Sequence, residues 1–204
     1  MIGIIDYGLG NVKAFENIYR RLHIPVKILR NSEDFDGITH LILPGVGAFD
    51  HAMNTFNNSG MRESAEKKAI REKVPVIGIC VGMQMLAHSS EEGKLQGLGW
   101  VDGKVKKFDE SQIAFSTHLP HMGWNDVEIK QVSKIFENLD EQPKFYFLHS
   151  YYFECNEPNN SIAHADYGIR FTCAINHNNI FGVQFHPEKS HAYGVQLLEN
   201  FSKI

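Results

Sequence analysis

Hydrophobic positions in the first half of the chain form short apolar runs separated by stretches with helical spacing. The runs Ile2 to Ile5, Val26 to Leu29 and Leu41 to Leu43 predict strands. After the first run, apolar residues recur every three or four positions, which predicts an amphipathic helix: Val12, Phe15, Ile18, Tyr19 and Leu22. This alternation of strand and helix is typical of a parallel sheet.

From Lys104 onward the pattern changes to short strands and turns. The predicted strands run from Lys104 to Phe108, Val127 to Ile129, Phe145 to His149, Tyr151 to Phe153, Ser161 to Ala165, Phe171 to Ile175 and Ile180 to Phe185. We expect them to extend and edge the sheet, and a closing helix with Val195, Leu198 and Phe201 on one face to pack against it. No linker, repeat or low-complexity tract interrupts the chain. The sequence therefore predicts one α/β domain over residues 1–204, with a mixed, mostly parallel central sheet flanked by helices.

One apolar run, Val74 to Ile79, leads directly into Cys80, which has glycine two residues away on both sides. This is the pattern of a nucleophile elbow, because a sharp strand-to-helix turn leaves no room for a Cβ at Gly78 or Gly82. A helix predicted over 83–88 would direct its positive end at the thiol and favour the thiolate. The alternative is a buried structural cysteine, the common state of a lone cysteine in an apolar strand.

A possible general base lies near the C-terminus, where the strand ending at Phe185 leads into His186-Pro187-Glu188. Residues two apart on an extended segment point to the same side, and Pro187 favours an extended conformation at His186. Glu188 can then bond one imidazole nitrogen and leave the other to take a thiol proton. The alternative is a solvated strand end, but the combination with the cysteine elbow favours catalysis.

The loop Pro44-Gly45-Val46-Gly47 follows another predicted strand. Its backbone N–H groups are candidates for an oxyanion hole together with the N–H of Val81, since a tetrahedral oxyanion needs two convergent donors. A simple glycine turn before a helix is the alternative.

Composition excludes several classes of function. The 204 residues are 43% hydrophobic and carry a net charge of −4, so no basic surface for nucleic acid is indicated. No apolar run reaches the roughly 20 residues that span a membrane, and the N-terminus lacks a basic leader. The odd, scattered set of Cys80, Cys155 and Cys173 argues against disulfides and makes the last two structural or incidental thiols. We expect a cytoplasmic protein.

A metal site is not indicated. His118 and His121 lie close in sequence, but no cluster of thiols or carboxylates accompanies them. Because the chain has eleven histidines, a chance pair is the better account. We expect neither a metal nor another cofactor.

Taken together, Gly-Ile-Cys80-Val-Gly-Met-Gln and the later Phe-His186-Pro-Glu188 resemble the class I (triad) glutamine amidotransferases. Further blocks across nearly the whole chain resemble one branch, the glutaminase subunits of imidazole glycerol phosphate synthase. Those blocks are residues 5–11, 43–49, 120–125, 147–151 and 185–190.

The resemblance implies a fold, a substrate and a mechanism. Cys80 would attack the side-chain amide of glutamine, His186 would transfer protons, and Glu188 would orient the imidazole. The loop at Gly45, Val46 and Gly47 would form the oxyanion hole, where a peptide turns over before its N–H points inward. The family positions that hold the substrate's α-amino and α-carboxylate groups match Gln84, Glu92, Ser150 and Tyr151. For Glu92, a solvated acidic turn is an equal alternative.

The resemblance also implies a partner, because no acceptor domain is recognisable in these 204 residues. In this branch the ammonia passes to a (β/α)₈-barrel cyclase subunit in histidine biosynthesis, which predicts a heterodimer. The family's interface positions match Pro120, Met122, Trp124 and Lys189. Core packing of Met122 and Trp124 and a solvated Lys189 are the alternatives.

Two stretches depart from the branch pattern: residues 190–194, Ser-His-Ala-Tyr-Gly, and residues 99–102, Gly-Trp-Val-Asp. They leave open a second hypothesis, that the chain supplies ammonia to a sugar amidotransferase in bacterial surface-glycan synthesis. A non-catalytic binding subunit is a third class of function, but the intact set of Cys80, His186 and Glu188 argues against it.

Overall fold

The computed structural model describes residues 1–114 and 118–204. Its helices are α1 (Val12–Arg21), α2 (Phe49–Asn58), α3 (Arg62–Glu66), α4 (Val81–Met85) and α5 (His191–Phe201). Its strands are β1 (Ile2–Ile5), β2 (Val26–Leu29), β3 (His40–Gly45), β4 (Val76–Cys80), β5 (Ser89–Ser90), β6 (Gly103–Lys107), β7 (His121–Asp126), β8 (Glu128–Ile129), β9 (Lys144–His149), β10 (Tyr151–Cys155), β11 (Ser161–Tyr167), β12 (Ile169–His177) and β13 (Ile180–Val183).

The main sheet has the strand order β2-β1-β3-β4-β13-β12-β10-β6-β5, with β11 and β8 attached beyond β12. The strands from β2 to β13 in that order pair in parallel, whereas β12, β10 and β11 pair in antiparallel ladders. The α/β class and the mixed central sheet predicted from the sequence are therefore confirmed.

The central strands are apolar along their length because they are covered on both faces. Every residue of β1, β4 and β13 is buried, as expected for strands inside a parallel sheet with helices on its faces. Helices α1 and α5 are in contact, and the Tyr19 hydroxyl donates to the carbonyl of Leu198 at 3.0 Å. The closing helix α5 reaches the sheet through Phe201, whose ring meets that of Phe181 on β13.

Two predictions about the sheet are corrected. The strand at Ile180 ends at Val183 and lies inside the sheet, between β4 and β12, not at an edge. The strand near Phe145 does not extend the main sheet, since β9 pairs only with β7 in a separate two-stranded sheet among the described residues. That pairing partner, β7, begins at His121 and was not predicted as a strand.

The predicted helix over 83–88 is also corrected. Helix α4 begins at Val81 and ends at Met85, so His88 lies outside it. The carbonyls of Met85, Leu86 and Ala87 accept hydrogen bonds from the backbone N–H groups of Leu98, Val101 and Gly99. Because a neighbouring segment occupies these acceptors, the chain turns away and the helix does not continue.

Candidate active site

Cys80 is the last residue of β4 and immediately precedes α4. Its φ of 56° lies in the left-handed region, which is strained for a residue with a side chain. A Cβ on Gly82 would lie 1.9 Å from the carbonyl oxygen of Leu43, and one on Gly78 would lie 2.6 Å from the carbonyl oxygen of Gly82. The expectation that both glycines are needed for the sharp turn is therefore confirmed.

His186 and Glu188 follow β13, which runs parallel to β4 with Val183 opposite Ile79. This register brings His186 to the thiol, and the two side chains line the same cavity. On its other side, Nδ1 of His186 lies 2.9 Å from Oε1 of Glu188, and both side chains are almost fully buried. Sequence reasoning placed these two residues together, and the structure adds their contact with the cysteine.

The protonation of His186 follows from these neighbours. Burial by itself lowers the pKa of His186, but the interaction with Cys80 and the hydrogen bond to Glu188 outweigh burial and raise the pKa to about 10. The other two thiols are less suited to chemistry, since burial raises the pKa of Cys155 to about 12 and raises that of Cys173 as well.

A cavity of about 300 Å³ opens beside the thiol. Most of the site residues predicted from the sequence line it: Val46, Gly47, Cys80, Val81, Gln84, Glu92, Pro120, Ser150, Tyr151, His186 and Lys189. Gly45 is paired with Cys80 in the sheet, and Glu188 lies behind His186. A larger depression of about 640 Å³ along α1 reaches Glu188 but contains no nucleophile.

The glycine loop lies against the elbow. A Cβ on Gly45 would lie 2.4 Å from the backbone nitrogen of Gly82, so the two turns approach as closely as glycine allows. The Tyr7 hydroxyl donates to the carbonyl of Pro44 at 2.7 Å and anchors the start of the loop. Val81, the first residue of α4, has a backbone N–H without an acceptor inside the helix. Both halves of the predicted oxyanion hole thus adjoin the thiol.

The predicted substrate residues meet in the same cavity. Nε2 of Gln84 donates to the carbonyl of Tyr151 at 3.1 Å. Oε2 of Glu92 accepts from the backbone N–H of Phe49 at 2.8 Å, at the start of α2 and just after the glycine loop. Glu92 is therefore not a freely solvated turn residue, because one carboxylate oxygen holds the beginning of that helix.

Comparison with known proteins identifies the family. The model of the family described as glutamine amidotransferase class-I matches residues 3–204. The chain belongs to this family. The subunit HisH of imidazole glycerol phosphate synthase from Bdellovibrio bacteriovorus is 56% identical over 204 residues, and that from Leptospira interrogans is 51% identical over the same length; each match covers 100% of both chains.

A solved structure shares this fold. A crystal structure of a putative GMP synthase component from Thermoplasma acidophilum superposes with a TM-score of 0.74 and 23% identity, over 99% of this chain and 92% of the other. At that identity the likeness concerns the fold alone.

The mouth of the cavity beside Cys80 is apolar. The exposed side chains of Val46 and Leu148 line it, Met122 is exposed opposite Leu148 in the β7–β9 pair, and Trp124 is exposed two residues further along β7. The Trp124 ring, 48% exposed, stacks on His191 at a centroid distance of 5.2 Å. Nζ of Lys189 lies 5.6 Å from the centroid of Tyr146. Met122 and Trp124 are thus surface residues, and their interpretation as core packing is wrong.

Sequence reasoning did not select two groups of site residues. Gln184 directly follows β13 and contacts Cys80. The feature of the sequence that could have indicated this role is its position two residues before His186. His149 lines the cavity and lies 3.0 Å from buried His121. Burial lowers the pKa of His149 to about 3 and that of His121 to about 4.

Neither a metal site nor a membrane span is present in the part of the chain that the structure describes. There, no three histidine, cysteine, aspartate or glutamate side chains form a group that could hold a metal ion. Within residues 1–114 and 118–204, none of the helices is both long and apolar enough to cross a membrane.

Proposed function

We propose that this chain is the glutaminase subunit of imidazole glycerol phosphate synthase. It hydrolyses glutamine to glutamate and ammonia and passes the ammonia to a separate (β/α)₈-barrel cyclase subunit in histidine biosynthesis. The observation that carries the chemistry is the contact of Cys80, at the strained turn, with an imidazole bonded to buried Glu188. The full-length identity to HisH subunits supports the pathway.

The reaction begins with attack of the Cys80 thiolate on the side-chain amide carbon of glutamine. A C–S bond forms, and the resulting oxyanion is held by the N–H of Val81 and an N–H of the loop at 45–47. The C–N bond then breaks as His186, protonated below a pKa of about 10, donates a proton to the departing ammonia. Water, deprotonated by His186, hydrolyses the γ-glutamyl thioester and releases glutamate.

Substrate recognition would use both ends of the cavity. The carboxylate of Glu92 attracts the α-ammonium group of glutamine, and Oε1 of Gln84 can accept from it because Nε2 of Gln84 already donates to Tyr151 and Gln184. Ser150 and Tyr151 lie on the cavity wall, where they would hold the α-carboxylate. A zwitterionic substrate is thus matched by opposite charge and polar groups at fixed positions.

The partner would cover the apolar mouth. Ammonia is protonated in bulk water and loses its nucleophilicity, so a dry route from the thiol to the acceptor is required. Val46 and Leu148 line the cavity and are exposed, and Met122 and Trp124 continue this exposed apolar surface along β7. We place the cyclase interface there, with Pro120 and Lys189 beside the ammonia exit. The heterodimer would act in the cytoplasm, where Cys80 stays reduced.

The chemistry is tested with Cys80→Ala in the complex with the cyclase. We expect loss of glutamine-dependent synthesis with retention of synthesis from ammonium salts, because only ammonia production requires the thiolate. Cys155→Ala is the matched control and should keep both activities. Glutamine turnover at the wild-type rate by Cys80→Ala would contradict the assignment of the nucleophile.

The pathway is tested by deleting the gene and by adding the purified cyclase to the chain. We expect histidine auxotrophy, and stimulation of glutamine hydrolysis by the cyclase with its phosphoribulosyl nucleotide substrate. Trp124→Ala should weaken cyclase binding more than tenfold, since a central aromatic anchor contributes about 2 kcal/mol. Val132→Ala, which shortens a fully exposed apolar side chain, is the control. Growth without histidine, with activation only by a sugar amidotransferase, would support the surface-glycan hypothesis instead.

A further inference from the structure

The amide of Gln184 is enclosed between the thiol of Cys80 and the side chain of Gln84. Gln184 is fully buried, with a relative exposure of 0%. Its Nε2 lies 3.7 Å from Sγ of Cys80, and its Oε1 lies 3.0 Å from Nε2 of Gln84. A buried amide in these contacts makes the environment of the sulfur depend on which end of the amide faces it.

The carbonyl of Tyr151 decides that orientation. A backbone carbonyl only accepts hydrogen bonds, so the atom of Gln84 that lies 3.1 Å from it must be the amide nitrogen. That nitrogen also faces Gln184, which must therefore present its oxygen. Nε2 of Gln184 is then left to face Cys80. The direction of each bond follows from the chemistry of its neighbour.

A second donor strengthens this anchor. Nδ1 of His149 lies 2.8 Å from the same Tyr151 carbonyl and must carry a proton there. Burial keeps His149 neutral, so its Nε2 accepts from Nδ1 of His121, and Nε2 of His121 accepts in turn from the amide of Asn125. Two neutral donors thus hold the carbonyl in place, and no alternative arrangement satisfies all the groups.

The sulfur therefore has two neighbours of opposite character besides His186. The carbonyl of Leu148, 3.9 Å away, can accept a hydrogen bond from the thiol but repels the thiolate. The N–H of Gln184 stabilises the thiolate, because a hydrogen bond to the charged form favours that form. Of these two, only Gln184 favours the reactive state.

We infer that Gln184 is a positioning residue that stabilises the Cys80 thiolate and holds Sγ beside the cavity through an N–H···S hydrogen bond. The inference rests on the proposed role of Cys80 as nucleophile and extends it to a residue outside the Cys80, His186 and Glu188 set. Gln184 acts on the substrate only through the sulfur.

The deciding variant is Gln184→Glu in the full-length chain. This change keeps the side-chain volume and the acceptor for Gln84, but it replaces the N–H facing the sulfur with an oxygen. The reaction of iodoacetamide with Cys80, followed by mass spectrometry of the Cys80 peptide across pH, reports the thiol pKa without glutamine. We expect the midpoint to rise by about one pH unit or more and alkylation at neutral pH to slow about tenfold or more.

Turnover in the cyclase complex gives a second readout. We expect kcat of Gln184→Glu to fall at least about tenfold with KM for glutamine little changed, because the bond to Gln84 is retained. Gln184→Met, which is similar in length but has no N–H, should also raise the alkylation midpoint. Gln131→Glu makes the same chemical change at a half-buried amide bonded to the carbonyls of Asn159 and Ser161, and should leave the midpoint unchanged.

The outcomes separate the two proposals. A wild-type alkylation midpoint in folded Gln184→Glu and Gln184→Met would overturn the inference while leaving Cys80 as the nucleophile. If Gln184→Glu does not fold, the midpoint of Gln184→Met decides alone. Full glutaminase activity in Cys80→Ala would instead remove the proposed function, and the inference with it.

Discussion

Replacing Glu188 with glutamine tests how much of the chemistry depends on the buried carboxylate. Oε1 of Glu188 accepts from Nδ1 of His186 at 2.9 Å, in a site where 2% of the glutamate side chain is exposed. Its other oxygen, Oε2, is buried and has no hydrogen-bond partner in the part of the chain that the structure describes. Glu188→Gln retains one acceptor for the imidazole, removes the charge, and places a buried NH₂ group where the carboxylate oxygen accepts no hydrogen bond.

The magnitude follows from that single bond. A hydrogen bond to a charged group contributes about 1.5–3 kcal/mol, and one pH unit of pKa corresponds to about 1.4 kcal/mol. The pKa of His186 should therefore fall by about one to two pH units from its value of about 10. The same loss in the transition state lowers kcat about 10- to 100-fold, which is milder than the loss expected for Cys80→Ala.

The sign of the pH dependence is set by the raised pKa of His186. The stability from the protonated imidazole is fully present below its ordinary value of 6.5 and is lost as pH rises through about 10. In Glu188→Gln that loss should begin at lower pH. The high-pH limb of glutamine hydrolysis should move in the same direction, since the leaving ammonia needs the imidazolium proton.

The assay is glutamate release by the cyclase complex across pH, with urea unfolding of the chain at neutral and alkaline pH as a second measurement. Glu63→Gln makes the same substitution on the exposed side of α3 and should change neither profile. An unchanged kcat together with an unchanged high-pH limb in Glu188→Gln would refute the assigned role of the carboxylate.

Three further predictions concern residues around the site. Gly82→Ala should destabilise the chain by about 3 kcal/mol or more in urea unfolding, because the new Cβ would lie 1.9 Å from the rigid carbonyl oxygen of Leu43. Glu92→Gln should raise KM for glutamine at least about tenfold, because the carboxylate that attracts the α-ammonium group and caps Phe49 loses its charge. Asp50→Asn should lower stability at neutral pH and not at acid pH. Hydrogen bonds from the backbone of residues 94 and 95 lower the pKa of Asp50 below its ordinary value of 3.8. The stability that the Asp50 carboxylate contributes is therefore present above pH 3.8 and is lost as pH falls through the lowered pKa.

Each of these has a matched control and an opposing outcome. Gly37→Ala also replaces a glycine, at φ 70° but with open space around the new Cβ, and should cost only about 1 kcal/mol. A Gly82→Ala protein no less stable than Gly37→Ala would contradict the steric account of the elbow. Glu91→Gln, next to Glu92 but bonded to the backbone of Lys107, should leave KM unchanged. An equal stability loss for Asp50→Asn at neutral and strongly acid pH would show that the charge of Asp50 is not the source of its contribution to stability.

Local spacing in the sequence was enough to indicate the chemistry. Glycines two residues on either side of Cys80 require a tight turn, and residues two apart around Pro187 share one side, so these relations depend only on backbone geometry. The alternation of apolar runs and helical spacing likewise predicted α1, β1 and β2. The resemblance to class I amidotransferases added the substrate positions, which spacing alone does not indicate.

The tertiary structure decided which of these pieces meet. Nothing local to the last strand requires β13 to lie beside β4, yet that register brings both His186 and Gln184 to the thiol. The short α4, the separate β7–β9 pair and the bond from Glu92 to Phe49 arise in the same way, from partners distant in sequence. The sequence by itself determined which residues could react, because turn and strand geometry are local. Only the long-range packing of strands determined their neighbours, because hydrogen-bond partners and burial depend on the folded chain as a whole.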